Sequence, residues 1–296
     1  MIARDDIKQR ILEDPNAVST FNEDDIVQVL HEARFLFKKE KALIQIKGPA
    51  VFVGDIHGDF ATTKAIIKRF IHYHHLIFLG DYIDREPEKW GSIHVMTYLL
   101  TLKCCYPQKI ILLKGNHESN DIIPCSPYEF AEEIFQRFGS STLHDLFVDV
   151  FAQMPVMVLT QQVFAAHGGI VKGADLQSLK KIQKNDADAL VSLLWSDPAT
   201  SPTYRGIGGP FDENDLGRFL EAVQAKVFVR GHGYNVLGYS LYHDRCLTIF
   251  SSRDYMDRGK GGILVACAEK EITRVSELLV EDFSTGQWKR YQVGCV

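Results

Sequence analysis

The chain has 296 residues, with 33 lysines and arginines against 38 aspartates and glutamates, a formal net charge of −5. Apolar residues make up 46% and charged residues 24%, a globular balance that excludes a disordered chain and argues against a broad nucleic-acid surface. No apolar run approaches the roughly 18 residues of a membrane span, so neither a nucleic acid nor a membrane is an expected partner. The charged N-terminus shows no signal-peptide core. Six cysteines without a CxxC pair read as reduced thiols, and a cytoplasmic setting is expected.

The first periodic segment is helical. Ile26, Val29, Leu30, Ala33 and Phe37 share one face, and Asn22 can cap its start. Ala50–Val53 is then a short apolar run ending in Gly54 and Asp55. A helix is expected over about 60–71, and a second apolar run over 76–79 ends in Gly80 and Asp81. Another helix over about 90–102 leads to a run at 110–113 that ends in Gly115 and Asn116. Strand, helix, strand, helix, strand is the pattern of parallel βαβ units, so the fold class is α/β. Two later runs, Val163–Ala166 and 226–229, end in His167 and in Arg230-Gly231-His232. Short strands are expected at 246–250, 262–268 and 273–279.

Five of these expected strands end in a possible metal ligand. The set is Asp55 and His57, Asp81, Asn116, His167 and His232. In α/β sheets, ligands collect outside the carboxyl ends of strands, so these ends can converge on one site. Carboxylate, imidazole and amide oxygen together suit divalent manganese, iron or zinc. Six ligands exceed the roughly three of an open single-metal site, and suit two ions sharing a carboxylate.

Gly54-Asp55-Ile56-His57-Gly58, Gly80-Asp81-Tyr82-Ile83-Asp84-Arg85 and Gly115-Asn116-His117-Glu118 match the pattern GDxHG…GDxxDR…GNHE. With His167-Gly168-Gly169, Trp195-Ser196-Asp197-Pro198, Arg205-Gly206 and Phe250 to Tyr255, the chain resembles the phosphoprotein phosphatase family of calcineurin-like metallophosphoesterases. The resemblance runs from about Phe21 to Val265. It implies an α-β-β-α sandwich with two divalent metals, manganese first and iron or zinc as alternatives, at strand carboxyl ends. Asp55, His57 and Asp81 would hold one metal. Asp81 would bridge to the second, held also by Asn116, His167 and His232. His117 would be the general acid, oriented by Asp84, while a hydroxide bridging the metals attacks phosphorus. Arg85 and Arg205 would grip the phosphoryl oxygens. Tyr255 and Asp197 would form the substrate rim.

The implied activity is serine/threonine protein phosphatase, acting on a phosphoprotein or phosphopeptide as a monomer. Relatives with the same metal core cleave diadenosine tetraphosphate, the main alternative. A scaffold without catalysis would be expected to have lost some of these groups. Residues 1–20 read as an N-terminal extension, 21–282 as one catalytic domain and 283–296 as a tail. Two departures from the family stand out. Glu86 replaces the usual glycine after Arg85, and the late loop reads Arg253-Asp254 in place of Pro-Asn. Glu118 is expected to brace its turn, and Trp195 to fix the Asp197 loop. Arg253 and Arg258 read as solvated arginines. His72, His74 and His75 look like a metal site but are explained by a helix end or loop.

Overall fold

Asn22 caps the first long helix as its sequence suggests: its side chain accepts from Asp25 N at 2.9 Å, and Asp25 completes a capping box. The computed structural model describes residues 5–160, 162–200, 205–257 and 262–295. The chain begins with α1 (Asp5–Glu13) and α2 (Glu23–Lys39), then β1 (Leu43–Ile46), β2 (Ala50–Val53), α3 (Phe60–Phe70), β3 (His75–Phe78), α4 (Gly91–Cys105) and β4 (Ile110–Leu112). Next come α5 (Phe130–Phe138), α6 (Ser141–Phe151), β5 (Met157–Thr160) and β6 (Val163–Ala166). Helices α7 (Leu176–Leu179), α8 (Ala187–Trp195) and α9 (Glu213–Ala222) lead to β7 (Val227–Arg230), β8 (Tyr239–Leu241) and β9 (Cys246–Thr248). A short α10 (Asp254–Asp257), β10 (Leu264–Ala268), β11 (Leu279–Asp282), β12 (Lys289–Arg290) and β13 (Gly294–Cys295) complete the chain.

Two sheets result. One runs β1-β5-β6-β7-β9-β8-β13, the other β12-β11-β10-β2-β3-β4. β2, β3 and β4 pair in parallel through the α3 and α4 crossovers, as the alternating pattern predicts. The strands alternate by face. On β2, Val51 and Val53 join the core under α1 to α6, while Ala50 and Phe52 face the other sheet. On the second sheet, Phe164 and Phe228 pack under α7 to α9, while Val163, Val227 and Val229 meet the first sheet. Two faces buried on every central strand explain why these runs are continuously apolar. The architecture is the expected α-β-β-α sandwich. None of the described helices is long and apolar enough to cross a membrane.

The ends of the chain belong to the sandwich. Ile7, Ile11 and Val18 are buried in the same core as α2 and α4, so the described part of the expected extension is structural packing. The tail adds β12 to one sheet and β13 to the other, and Trp288 stacks on Phe283 with ring centres 4.7 Å apart. The expected strand at 273–279 is instead a turn leading into β11. There Glu277 accepts from Thr273 N at 2.7 Å, and Val275 N donates to Asp244 O. This side-chain bond offers the backbone an alternative to a ladder.

Candidate dinuclear metal centre and active site

The turns after β2, β3 and β7 place side chains by unusual backbone. His57, Asp81, Asp84, Arg85 and His232 all have positive φ, between 45° and 67°. Such conformations cost energy in non-glycine residues and cluster where surrounding structure fixes them for function. Glycines make room around them. Gly80 has φ 109° and lies against the backbone of Gly115, and a Cβ on Gly231 would strike the Asp55 carboxylate. Glu86 adopts no left-handed conformation, so the glycine it replaces is not required by the backbone. Glu118 braces the turns as expected. Its carboxylate accepts from Asp81 N at 2.9 Å, Tyr82 N at 2.8 Å and Gly115 N at 2.9 Å.

All six expected ligands are buried and converge. His57 Nε2 lies 3.6 Å from Asp81 Oδ2 and 4.0 Å from Asp55 Oδ2. On the other side of Asp81, His167 Nε2 lies 3.4 Å from Asp81 Oδ1, 2.9 Å from Asn116 Oδ1 and 3.1 Å from His232 Nδ1. Asp81 is common to both groups.

The donor chemistry fits two cations. His57 Nδ1 contacts Ile83 O at 2.9 Å and His167 Nδ1 contacts Leu79 O at 3.1 Å. A carbonyl can only accept, so both Nδ1 atoms carry protons and both Nε2 lone pairs face the cluster. This is the outer-shell arrangement of metal-ligating histidines. Burial pushes His57 and His232 well below the usual imidazole range and His167 to about 4, which keeps all three in the neutral, ligating form. Burial and the neighbouring Asp81 push Asp55 up, a repulsion that divalent charge relieves. Facing acceptors at 2.9 to 3.4 Å, with few protons to share, are a cradle for cations.

His117 stands beside this cluster. Its Nδ1 bonds to Asp84 Oδ2, and its Nε2 lies 3.9 Å from Asp81 Oδ2. Asp84 Oδ1 accepts from Glu129 N at 2.7 Å and Phe130 N at 2.9 Å, which fixes the carboxylate and through it the ring. Burial opposes a charge on His117, but Asp81 and the Asp84 bond outweigh it and hold the imidazole well above its usual value. Arg85 donates from Nη1 to Tyr255 Oη at 2.5 Å and to His57 Nε2 at 3.2 Å. Arg205 donates from Nη2 to His232 O at 3.0 Å. Both arginines and Tyr255 line a cleft of about 530 Å³ whose floor is Asp81, Asn116, His117 and His232.

Several expectations change. Asp197 does not line this cleft. It is buried between two guanidiniums, 2.8 Å from Arg205 Nε and 2.7 Å from Arg230 Nη2, so it aims Arg205 and does not form the rim. Trp195 does line the cleft, its ring centre 5.9 Å from that of His232. Arg253 is tied to the buried Asp59, with Nη2 2.6 Å from Oδ1, and is not merely solvated. Arg258 and part of its loop lie outside the described residues. His75 bonds the carbonyls of Gln108 and Lys47, and no metal cluster among the described residues includes His72, His74 or His75.

Sequence reasoning missed Arg230, Asp59 and the 124–127 wall. Arg230 is fully buried and also reaches Gly168 O and Thr248 Oγ1. Its one sequence signal is its place two residues before His232. Cys125 lies on the cleft wall with its thiol close to Asp84 and His117. No motif marks that segment.

Residues 48–234 match the family described as calcineurin-like phosphoesterase. The fold is similar to a Saccharomyces cerevisiae protein serine/threonine phosphatase with similarity to human phosphatase PP5. The TM-score is 0.77 at 23% identity, covering 89% of this chain and 90% of that one. It is also similar to a cold-active protein-tyrosine phosphatase of a psychrophile Shewanella. There the TM-score is 0.62 at 16% identity, covering 87% of this chain and 84% of that one.

Proposed function

The chain belongs to the calcineurin-like phosphoesterase family, and from this membership we propose that it is a serine/threonine protein phosphatase of the phosphoprotein phosphatase group. The observation that carries the reading is one cleft holding the His117–Asp84 pair, the shared Asp81 and two arginines. Two divalent cations, held by Asp55, His57, Asp81, Asn116, His167 and His232, would supply positive charge at phosphorus and acidify water there. Manganese is the first candidate.

The chain's own groups do the rest. Arg85, after β3, and Arg205, between α8 and α9, both line the cleft and suit two oxygens of one phosphoryl group. Asp84 accepts the Nδ1 proton, and with Asp81 it favours the imidazolium, so a second proton sits on Nε2 and faces the cleft. A serine or threonine alkoxide is a poor leaving group, and protonation by His117 as it departs lowers that barrier. Tyr255 holds Arg85 and closes the late-loop side. The proposed substrate is a phosphoprotein or phosphopeptide, taken by a monomer in the cytoplasm.

The test is a metal-reconstituted panel of phosphoserine, phosphothreonine and phosphotyrosine peptides, diadenosine tetraphosphate and an aryl phosphate. Phosphoserine or phosphothreonine peptides should be preferred. His117→Asn should lower kcat on them by about 10²- to 10⁴-fold. Faster turnover of diadenosine tetraphosphate would replace the substrate reading, and full activity in His117→Asn would defeat the acid.

A further inference from the structure

A second concave site lies at the corner where α2 meets β1. It has a volume of about 470 Å³ and is lined by Lys38, Lys41, Lys180 and Lys184, with Glu40 and Gln153. These lysines come from three segments: the last turn of α2, the link into β1, and the loop between α7 and α8. In a chain of net charge −5 this is a local concentration of positive charge.

Its charge is only partly countered from within, by Glu40 beside Lys184. Among the described residues, Lys38, Lys41 and Lys180 form no ion pair. Lys184 donates only to a carbonyl, Phe37 O at 2.6 Å. The one carboxylate in the cleft, Glu40, is bound to the buried Lys103 at 2.5 Å. Lys38 alone could be explained by the negative end of the α2 dipole, and neighbouring Lys39 turns away to lie over the Phe35 ring. The dipole does not account for Lys41 or Lys184. Burial pushes Lys184 down to about 8, a cost that an incoming anion would reduce.

The ligand class follows from what adjoins the cleft. Ala42 lines it and leads directly into β1, the outer strand of the seven-stranded sheet. β1 pairs with β5 on one side, and among the described residues no strand pairs with its other side. Free strand-edge groups accept an extended peptide by main-chain bonds, while side-chain pockets choose its sequence. A long nucleic acid would meet a net repulsive surface beyond the cleft. We propose that the lysine cleft and the adjoining β1 edge dock an acidic, extended segment of a partner protein. This site does not depend on the substrate assigned to the metal centre.

The probe is a short fluorescein-labelled peptide alternating glutamate and valine, followed by anisotropy with the full chain. Saturable binding that weakens with salt is expected, and Lys38→Glu with Lys180→Glu should weaken it about tenfold or more. Turnover of an aryl phosphate by that double variant should be unchanged, since neither lysine touches the metal cleft. Absent binding, or binding unaffected by the charge reversals, overturns the site. Tighter binding of tripolyphosphate or a duplex oligonucleotide at these lysines overturns the peptide assignment.

Discussion

Arg205 reaches the cleft because Asp197 holds its Nε from behind, and Asp197 is in turn held by the buried Arg230. Asp197→Asn keeps the shape but leaves two guanidiniums without a countercharge, one of them fully buried. Breaking a buried pair costs about 3 kcal/mol or more, so the urea midpoint should drop, and kcat/KM should fall about tenfold as Arg205 loses its aim. An unchanged midpoint would show that Arg230 is satisfied by Gly168 O and Thr248 alone. Glu133 makes a different residue-scale case. Burial and the nearby Glu86 push it up to about 8, and its Oε2 is buried without a partner. An unfolded glutamate titrates near about 4.3, so between about 4.3 and 8 the folded chain binds the extra proton. The resulting stability is complete at the acid end and is lost as pH rises through about 8. Wild-type Tm should therefore decline between about pH 4.3 and 8 more steeply than that of Glu133→Gln, with no further difference in slope above about 8. Parallel curves would refute the protonated Glu133. The six candidate metal ligands make a contrast. Those ligands were legible because each ends an apolar run beside a glycine. Arg230 acquires its role from Asp197, 33 residues away, and Asp59 its hold on the late loop from Arg253, 194 residues away.

At the scale of elements, the parallel β2-β3-β4 unit was readable because burial on both faces makes its strands continuously apolar. β1 and β8 were not, since each is short and has exposed positions that interrupt any pattern. The five left-handed residues of the site leave no trace in hydrophobic pattern at all. The late loop shows what replaces a missing proline. Arg253 bonds Asp59 through Nε, Nη2 and its own N–H, and Asp59 also accepts from Thr62 N at the start of α3. This clamps the loop bearing Tyr255 to the helix that follows the Asp55–His57 turn. Arg253→Ala should raise amide exchange across 251–257 and release Tyr255 from Arg85, lowering kcat/KM about tenfold. Asp59 is fully buried and would lose its countercharge while keeping bonds from Thr62 N, Thr62 Oγ1 and the Arg253 N–H, so Tm should also fall. Exchange as slow as in the wild type would mean that Ser251, which bonds Gly54 N and Leu264 O, holds the loop by itself.

Across the whole molecule, the candidate metal centre lies where two sheets meet. Asp55, His57, Asp81 and Asn116 follow strands of the six-stranded sheet, whereas His167 and His232 follow strands of the seven-stranded one. Asp81 is the link, within 3.4 Å of a histidine from the opposite sheet. Cations held there would join the sheets by bonds stronger than the apolar contacts of their shared core. They would also offset the mutual repulsion of Asp55 and Asp81. Because an unfolded chain has no such cradle, binding stabilises the fold by about 4 kcal/mol at about a thousandfold excess over Kd. In a chain of this size that corresponds to a Tm rise on the order of 10 °C. Chelation should therefore lower Tm and added manganese should restore it. Asp55→Asn and His232→Ala, which remove ligands from opposite sheets, should each shrink the manganese-induced rise. A Tm indifferent to chelator and manganese would exclude the bridging centre. A rise lost in Asp55→Asn but intact in His232→Ala would confine the metal to one sheet.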